Sequence, residues 1–468
     1  MEDHSSCPKP VHAIVMPVPL QGHVIPAVHL ALKLASNGFT ITFINTEIIH
    51  HQLTTTTSSL IGGEKDIFSG AREESGLDIR HRTVNDGFPL SFDRMANHDQ
   101  YVEEGHVRAM PALMDGLVGE IVKEADPPVS CLITDGFFGS WPSILAEKYN
   151  LVYVSFWTEP ALVFTLYYHL DLLKTNGHYA SRGNRAKGLT ILSSRNQCLH
   201  RHAPTHRHGI QGCKKADFIL CNTIHELELD PIMALQEKQP FYSIGPLFPY
   251  GLTKTIVPTS LRVESNCTQW LNTKPHGSVM YVSFGSLITC RKSEIGEIAL
   301  GLALSKVNFI WVLRIDAVSY DEPYILPIGF EEEVKDRGLV VTWTNQIDVI
   351  SHQSIGGFLT HCGWNSVLES IWFGVPMLCF PLATDQTTNR KLVVDDWKIG
   401  LNLCDRKPLT RLEVSEKIDR LMSGKSGDDE LRTEVTKVRK TLESALASNG
   451  SSQRNLCKFI ANLKAKIK

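Results

Sequence analysis

The chain has 468 residues, more than one hydrophobic core usually serves, so we expect about two domains. Hydrophobic residues make up 43% and charged residues 21%, as in ordinary globular enzymes, and the net charge of −3 excludes a typical nucleic-acid binder. No apolar run is long enough to cross a bilayer, and the polar N-terminus lacks a signal-peptide pattern, which together predict a cytoplasmic protein without a transmembrane segment.

The first half of the chain alternates strand-like and helix-like segments, which predicts a parallel, doubly wound sheet in a domain spanning residues 1–246. The predicted strands are His12–Pro17, Thr40–Asn45, Cys131–Thr134, Val152–Phe156, Phe218–Asn222 and Tyr242–Gly245. The predicted helices are Val24–Ser36 and Trp141–Tyr149.

The segment 181–213 interrupts this pattern. It is rich in Arg, His, Ser and Gly, has no acidic residue, and carries one apolar run, Leu189–Leu192. Its histidines could hold a metal ion adventitiously, but no carboxylate is present to orient them, so we expect a poorly ordered basic loop and no metal site. The histidines are His200, His202, His206 and His208, with Cys198 nearby.

Alternation restarts after the Gly- and Pro-punctuated stretch Pro246–Pro258. We therefore place a linker at 247–262, a second Rossmann-like domain at 263–448, and a terminal helix at 449–468. The predicted strands are Ser278–Phe284, Phe309–Arg314, Val340–Trp343, Gly356–Thr360 and Pro376–Pro381, and the predicted helices are Ser293–Ser305 and Trp364–Phe373.

The stretch Trp343–Gln386 carries the strongest functional pattern. Two of its strand-like runs are each followed by a polar cluster, and ligands of open α/β sheets bind at the carboxyl ends of strands. The first cluster, Thr360–Ser366, opens a helix whose free N–H groups and partial positive charge suit a diphosphate. Gly363 permits a tight turn and a close approach of phosphate to the backbone.

This stretch resembles the signature box of the plant family 1 UDP-glycosyltransferases. The matching positions are Trp343, Gln346, His361, Gly363, Trp364, Asn365, Ser366, Glu369, Asp385 and Gln386. Thr344 is the one soft departure, since the family often has Cys, Ala or Val there. The resemblance implies an enzyme of plant secondary metabolism with the α/β fold called GT-B, in which two doubly wound Rossmann-like domains face each other across a cleft. It also implies that the last helix returns to the first domain.

The resemblance also assigns the donor-site residues for UDP-glucose. Trp343 is expected to stack on uracil, Thr344 to meet it through the backbone, and Gln346 and Glu369 to bind the ribose. The diphosphate contacts are expected from His361, Asn365, Ser366 and Ser286. The sugar contacts are expected from Trp364, Asp385, Gln386 and Thr158, and Gln386 rather than His resembles the glucose users. No Asp-x-Asp motif is present, so no metal cofactor is expected.

His23 is the candidate general base, because it follows the first predicted strand at its carboxyl end and imidazole titrates near neutral pH. Asp135, at the end of the strand Cys131–Thr134, could bind the far ring nitrogen as the third member of a triad does. The alternatives are a structural histidine and a strand-end Asp that caps the next turn. Cys362, beside His361, is interpreted as a small turn residue rather than a nucleophile.

We therefore predict an inverting, metal-independent transferase that moves glucose from UDP-glucose to a hydroxyl or carboxyl of a small lipophilic acceptor. The alternative is a UDP-sugar-binding protein with impaired catalysis. In that case segment 181–213, which lies on the acceptor side and interrupts the strand and helix pattern, is aberrant. An NAD-dependent dehydrogenase is a weaker third hypothesis, since no G-x-G-x-x-G follows the first strand. The acceptor's identity and the oligomeric state stay open.

Overall fold

The computed structural model describes residues 11–57, 66–94, 96–176, 210–247, 260–287, 290–314, 326–405, 408–423 and 429–467. These residues form two compact units. Unit 1 contains the described residues up to Tyr168, those from 210 to Arg262, and those from Ser448 onward. Unit 2 contains residues 169–176 and the described residues of Val263–Ala447.

In the part of the chain that the structure describes, each unit has a parallel sheet flanked by helices. The strands of unit 1 are Val11–Met16 (β1), Phe39–Thr46 (β2), Ile79–Val84 (β3), Val129–Asp135 (β4), Val152–Trp157 (β5), Phe218–Cys221 (β6) and Phe241–Ser243 (β7). The strands of unit 2 are Val279–Ser283 (β8), Asn308–Val312 (β9), Gly338–Val341 (β10), Ile355–Thr360 (β11), Met377–Cys379 (β12) and Gly400–Asn402 (β13).

The helices connect these strands and cover the sheet faces. In unit 1 the α-helices are Gln21–Ala35, Glu47–Thr57, Ser69–Ser75, His98–Gln100, Met110–Glu124, Trp141–Lys148, Ala161–Tyr168, Leu229–Gln236 and Ser451–Lys466. In unit 2 they are Leu170–Thr175, Thr268–Asn272, Lys292–Ser305, Phe330–Val334, Gln346–Ile350, Trp364–Phe373, Gln386–Lys391, Arg411–Met422 and Asp429–Leu446. The described residues also contain the π-helical segments Tyr101–Ala109 and Leu392–Asp396 and the 3₁₀ turns Gly136–Phe138 and His225–Leu227. None of the described helices is both long and apolar enough to span a bilayer.

Both sheets reverse their strand order near the middle. The order in unit 1 is β3-β2-β1-β4-β5-β6-β7, and the order in unit 2 is β10-β9-β8-β11-β12-β13, with every pair parallel. The reversals fall between β1 and β4 and between β8 and β11. Apolar clusters pack on both faces of each sheet, which explains why the central strands are continuous apolar runs.

The first helix starts earlier than the sequence suggested. It runs from Gln21 to Ala35 rather than from Val24, because the carbonyl of Leu20 accepts from the backbone N–H groups of His23 and Val24. Pro26 is accommodated inside the helix. His23 therefore lies in the first helical turn and not in the loop before it, so its backbone is fixed by the helix.

The last helix, Ser451–Lys466, belongs to unit 1. Phe459 is fully buried against Phe218 and Tyr242, with ring centroids 5.7 and 5.8 Å away. Asn455 Nδ2 donates to the carbonyl of Ser243 at 2.9 Å, so apolar burial and hydrogen bonding both fix the helix on the β7 side of the sheet.

Two predicted segments fall mostly outside the described residues. Of the linker 247–262, only Leu247 and residues 260–262 are described, and of segment 181–213 only residues 210–213. Those last four residues are ordered in unit 1, where Ile210 and Cys213 are buried. The expectation of a poorly ordered loop reaching Cys213 is therefore wrong at its end, because these apolar side chains have core positions to fill.

Candidate active site

The predicted polar residues lie at the topological switch point of each sheet. In unit 1, His23 follows β1 and Asp135 ends β4, and these strands are neighbours. In unit 2, Ser286 follows β8 and His361 follows β11, which are also neighbours. A switch point opens a crevice at the carboxyl ends of the strands, where open α/β sheets bind ligands.

His23 and Asp135 form a hydrogen-bonded pair. Nδ1 of His23 lies 2.7 Å from Oδ2 of Asp135, and the two side chains are 16% and 1% exposed. An ionised carboxylate can only accept, so the proton of a neutral imidazole lies on Nδ1 and the lone pair on Nε2. The pair thus combines a buried carboxylate with a partly accessible imidazole in the tautomer that a general base needs.

Phe137 holds both members of this pair, and sequence reasoning did not identify it. Its backbone N–H donates to Asp135 Oδ1 at 3.0 Å, and its ring meets the imidazole of His23 edge to face at a centroid distance of 5.3 Å. The ring of Trp157 stacks on the ring of Phe137, with the centroids 4.8 Å apart. The only signal in the sequence was Asp-Gly-Phe, since Asp often accepts from the N–H two residues on.

Thr158 is buried and its Oγ1 lies 3.0 Å from Nδ1 of His23. The structure thus places Thr158 beside the candidate base, while its expected contact with the sugar stays a prediction. The helix Ala161–Tyr168 follows directly, and the buried carboxylate of Glu228 accepts from the backbone N–H groups of Ala161 and Leu162 at 2.9 and 2.8 Å. Glu228 therefore anchors the chain just after Thr158, a role that no local pattern had indicated.

In unit 2 the helix Trp364–Phe373 begins as predicted, with Gly363 at its N-cap. Gly363 has no side chain with which to cap this end, and no acidic residue lies in the first turn of the helix. Helix starts normally take a side-chain cap, so these N–H groups are suited to an anionic ligand. Asn365 and the buried Ser366 lie in the same turn.

His361 sits beside this helix start, between two glycines. A Cβ on Gly285, whose φ is +76°, or on Gly363 would collide with Nε2 of the imidazole. Burial, and then the charge of Arg314, lower the pKa of His361 to about 4, opposed by the backbone of Ser283. A neutral imidazole at this place can present one N–H to a diphosphate.

Gln346 connects two other predicted residues. Its Nε2 donates to Ser366 Oγ at 2.9 Å and to Glu369 Oε2 at 2.6 Å. Burial raises the pKa of Glu369 to about 7, although the hydrogen bond from Gln346 lowers it. Tyr281 OH, 3.4 Å from Gln346 Oε1, adds a contact that the sequence had not suggested.

Trp343 and Thr344 are both buried, at 8% and 4% exposure. Trp343 belongs to an apolar cluster beneath the sheet, and Thr344 Oγ1 donates to the carbonyl of Ser265 at 2.9 Å. Because the Thr344 side chain is engaged inside the protein, a contact of this residue with a base would come from its backbone.

The last two positions of the box are buried and held by hydrogen bonds. Asp385 accepts from Thr384 Oγ1 at 2.8 Å and from Asn389 Nδ2 at 2.5 Å. Gln386 Oε1 accepts from the backbone N–H groups of Leu382 and Ala383 at 2.9 and 3.0 Å. Trp364 is 4% exposed.

The structure brings the predicted residues together within each unit: His23, Asp135 and Thr158 in unit 1, and Gln346, Ser366 and Glu369 in unit 2. Ser286 and Asn365 are half-buried at the switch point and at the helix start. Within the ranges that the structure describes, no group of His, Cys, Asp and Glu side chains is arranged to hold a metal ion.

Comparisons with known proteins point to one family. A family model described as UDP-glucoronosyl and UDP-glucosyl transferase matches residues 262–432. UDP-glycosyltransferase 86A1 of Arabidopsis thaliana is 50% identical, with 97% of this chain and 95% of that protein covered. The 7-deoxyloganetin glucosyltransferase of Gardenia jasminoides is 35% identical over 98% of this chain and 99% of its own length.

A solved structure also resembles the chain over nearly its full length. It is UGT2 of Phytolacca americana, complexed with UDP-2fluoro-glucose and pterostilbene, at 26% identity and a TM-score of 0.77, covering 97% of this chain and 99% of that one. The predicted α/β GT-B fold with two Rossmann-like domains is confirmed. The hypothesis of a binding protein with impaired catalysis is not favoured, since these relatives are named as transferases. From its signature residues and its full-length relatives, the chain belongs to the plant family 1 UDP-glycosyltransferases.

Proposed function

We propose that this enzyme transfers glucose from UDP-glucose to a hydroxyl or carboxyl group of a small lipophilic acceptor, with His23 as the general base. The observation that carries the chemistry is the 2.7 Å hydrogen bond between His23 Nδ1 and Asp135 Oδ2 at the switch point of unit 1. It directs the lone pair of the imidazole to Nε2, where an acceptor proton can be taken.

In the proposed reaction the acceptor O–H proton moves to His23 Nε2 as the acceptor oxygen attacks the anomeric carbon. The bond from that carbon to the diphosphate oxygen breaks, and UDP leaves with the electron pair. Asp135 stabilises the imidazolium through Nδ1–H, as the carboxylate of a triad does. A single displacement inverts the anomeric centre and gives a β-glucoside.

We assign donor binding to unit 2. The diphosphate would lie at the uncapped start of the helix Trp364–Phe373, with side-chain donors from His361, Asn365, Ser366 and Ser286. Trp343 and Thr344 would bind uracil. Gln346 and Glu369 would bind the ribose, and the hydrogen bond between Gln346 and Glu369 holds these two side chains side by side.

The helix start and neutral donors would balance the charge of the leaving diphosphate, so we propose that no metal takes part. The sugar is assigned to Trp364, Asp385 and Gln386, with Thr158 from unit 1.

The acceptor class rests on the names of relatives. One relative is named a 7-deoxyloganetin glucosyltransferase, and the Phytolacca americana structure holds pterostilbene beside its fluorinated UDP-glucose. Both are small, largely apolar molecules, which supports a small lipophilic acceptor here. We also propose a cytoplasmic location, which is supported by the nine described cysteines, none of which forms a disulfide.

The test replaces the base while leaving the donor site intact. We expect His23→Ala to lower glucosyl transfer by at least ~100-fold in a screen of phenols, alcohols and acids with UDP-glucose. UDP affinity, measured by calorimetry, should stay unchanged, because the residues assigned to UDP lie in the other unit. Near-normal turnover of the folded variant would remove His23 from this role.

A further inference from the structure

Asn389 is a fully buried amide that lies beyond the signature box, on the helix Gln386–Lys391. Its Nδ2 donates to Asp385 Oδ2 at 2.5 Å and to the carbonyl of Cys362 at 2.8 Å. Both partners can only accept, so the chemistry fixes the orientation of the amide with its nitrogen toward them. The side chain of Asn389 therefore joins the turn before Trp364 to the carboxylate of Asp385, near the end of the box.

The two turns that Asn389 joins are both strained. Cys362 has φ +67° and Thr384 has φ +53°, although neither is glycine. Residues with side chains keep this left-handed conformation only where surrounding contacts hold it. The bond from Asn389 to the carbonyl of Cys362 is such a contact, and the bond to Asp385 holds the residue next to Thr384.

The carboxylate of Asp385 does not cap the helix that it precedes. Asp385 occupies the N-cap of the helix Gln386–Lys391, where an Asp side chain normally accepts from the first backbone N–H groups, yet it makes no such bond. Thr384 Oγ1 and Asn389 Nδ2 bind its two oxygens instead. The carboxylate is thus held by side chains, in an orientation that helix capping does not set.

We propose that Asn389 is a positioning residue for the donor sugar. It holds the Asp385 carboxylate toward the ring hydroxyls of a hexose and ties it to the turn at Cys362 that precedes the diphosphate site. This role rests on the proposed function, in which Asp385 binds the glucose of UDP-glucose. Asn389 itself does not touch the sugar, so its effect should appear in sugar recognition more than in UDP binding.

The sharpest variant is Asn389→Asp. It keeps the shape of the side chain but replaces the donating amide nitrogen with an oxygen that faces two acceptors, the carbonyl of Cys362 and the carboxylate of Asp385. The measured quantity is the Kd for UDP-glucose divided by the Kd for UDP, both from calorimetry without acceptor. We expect this ratio to rise about tenfold, which corresponds to about 1.4 kcal/mol lost from sugar binding. Asn389→Ser adds no charge and cannot reach both partners, so it should also raise this ratio. It replaces Asn389→Asp in the test if that variant does not fold.

The matched control is Asn402→Asp. Asn402 Nδ2 also donates to a cysteine carbonyl and an Asp carboxylate, those of Cys404 at 2.7 Å and Asp405 at 3.0 Å. Neither group belongs to the donor site, so the ratio should stay at the wild-type value. An unchanged ratio in a folded Asn389 variant would overturn the positioning role. Failure of the proposed function would look different, since the wild-type protein would then neither bind UDP-glucose nor transfer glucose.

Discussion

At the scale of single residues, the chemistry depends on side chains that hold other side chains. His23 contacts Asp135 and Thr158 through Nδ1, and its ring packs against the ring of Phe137. The carboxylate fixes the tautomer, the hydroxyl shares the Nδ1 side, and the aromatic edge limits rotation of the ring. Such contacts would prepare the proposed base before the acceptor arrives.

Thr158 offers a test of this arrangement, because it can act on the base or on the sugar. If it supports His23, Thr158→Val should lower kcat about tenfold with little change in KM for UDP-glucose, and Thr158→Ser should recover most of kcat. If it mainly binds sugar, KM for UDP-glucose should rise instead. Steady-state kinetics at saturating acceptor separates the two outcomes.

The raised pKa of Glu369 predicts that UDP binding changes the protonation of this residue. Burial raises its pKa to about 7, so unliganded sites carry a proton there at a higher pH than an exposed Glu would. Ribose hydroxyls that donate to the carboxylate favour its charged form and lower the pKa. UDP binding near pH 7 should therefore release protons, and UDP affinity should increase as pH rises from 6 to 8.

Calorimetry in two buffers of different ionisation enthalpy measures this proton release. We expect it to disappear in Glu369→Gln, which cannot ionise but keeps the size of the side chain. Proton uptake by the wild-type protein, or equal release by the variant, would contradict the assignment of Glu369 to the ribose.

At the scale of elements, the proposed donor site depends on the start of one helix and on the space around His361. Gly285 and Gly363 lie so close to the imidazole that neither can carry a Cβ. At Gly285 the positive φ adds a second constraint. The glycines therefore fix where His361 sits relative to the N–H groups of the helix Trp364–Phe373.

Gly285→Ala should consequently weaken UDP binding about tenfold, because the new methyl group displaces the imidazole from the phosphate site. Gly296→Ala is the control: Gly296 lies inside the helix Lys292–Ser305 with open space around its Cβ position. There the substitution should leave UDP affinity unchanged and raise thermal stability slightly, since Ala favours helix. Equal UDP affinity in both variants would argue against a phosphate contact by His361.

The sequence predicted the central strands well and missed two at the sheet edges. β3 and β13 each pair on one side only, and β3, Ile79–Val84, carries charged residues. β13 has three residues. An edge strand keeps one side in solvent, so it lacks the continuous apolar run that reveals a buried strand.

The same limit applies to the site. The box and the pair of His23 and Asp135 were predicted because their positions follow strands and fit a known spacing. Phe137, Glu228 and Asn389 were missed because their roles arise from contacts between folded elements. Glu228 reaches a helix start 67 residues away in the chain, and no local pattern encodes such a contact.

At the scale of the whole molecule, the proposed mechanism assigns the base to one unit and the donor site to the other. The candidate base and its supporting residues belong to unit 1, and the signature box belongs to unit 2. Each unit has a parallel sheet whose strand order reverses near the candidate site residues. The division explains why changes at His23 and changes at Gly285 should affect different steps, turnover in one case and UDP affinity in the other.

The proposed mechanism also predicts the stereochemistry of the product and the metal requirement of the reaction. One base and one displacement, with no enzyme nucleophile, should convert the α-linked glucose of UDP-glucose into a β-glucoside, which proton NMR of the product identifies. The uncapped helix start and neutral donors such as His361 should stabilise the diphosphate, so EDTA should leave turnover within about twofold of its value without chelator. An α-linked product would require a second displacement and a nucleophile. Loss of activity in EDTA that Mn²⁺ restores would mean that a cation, rather than the helix start, balances the leaving group.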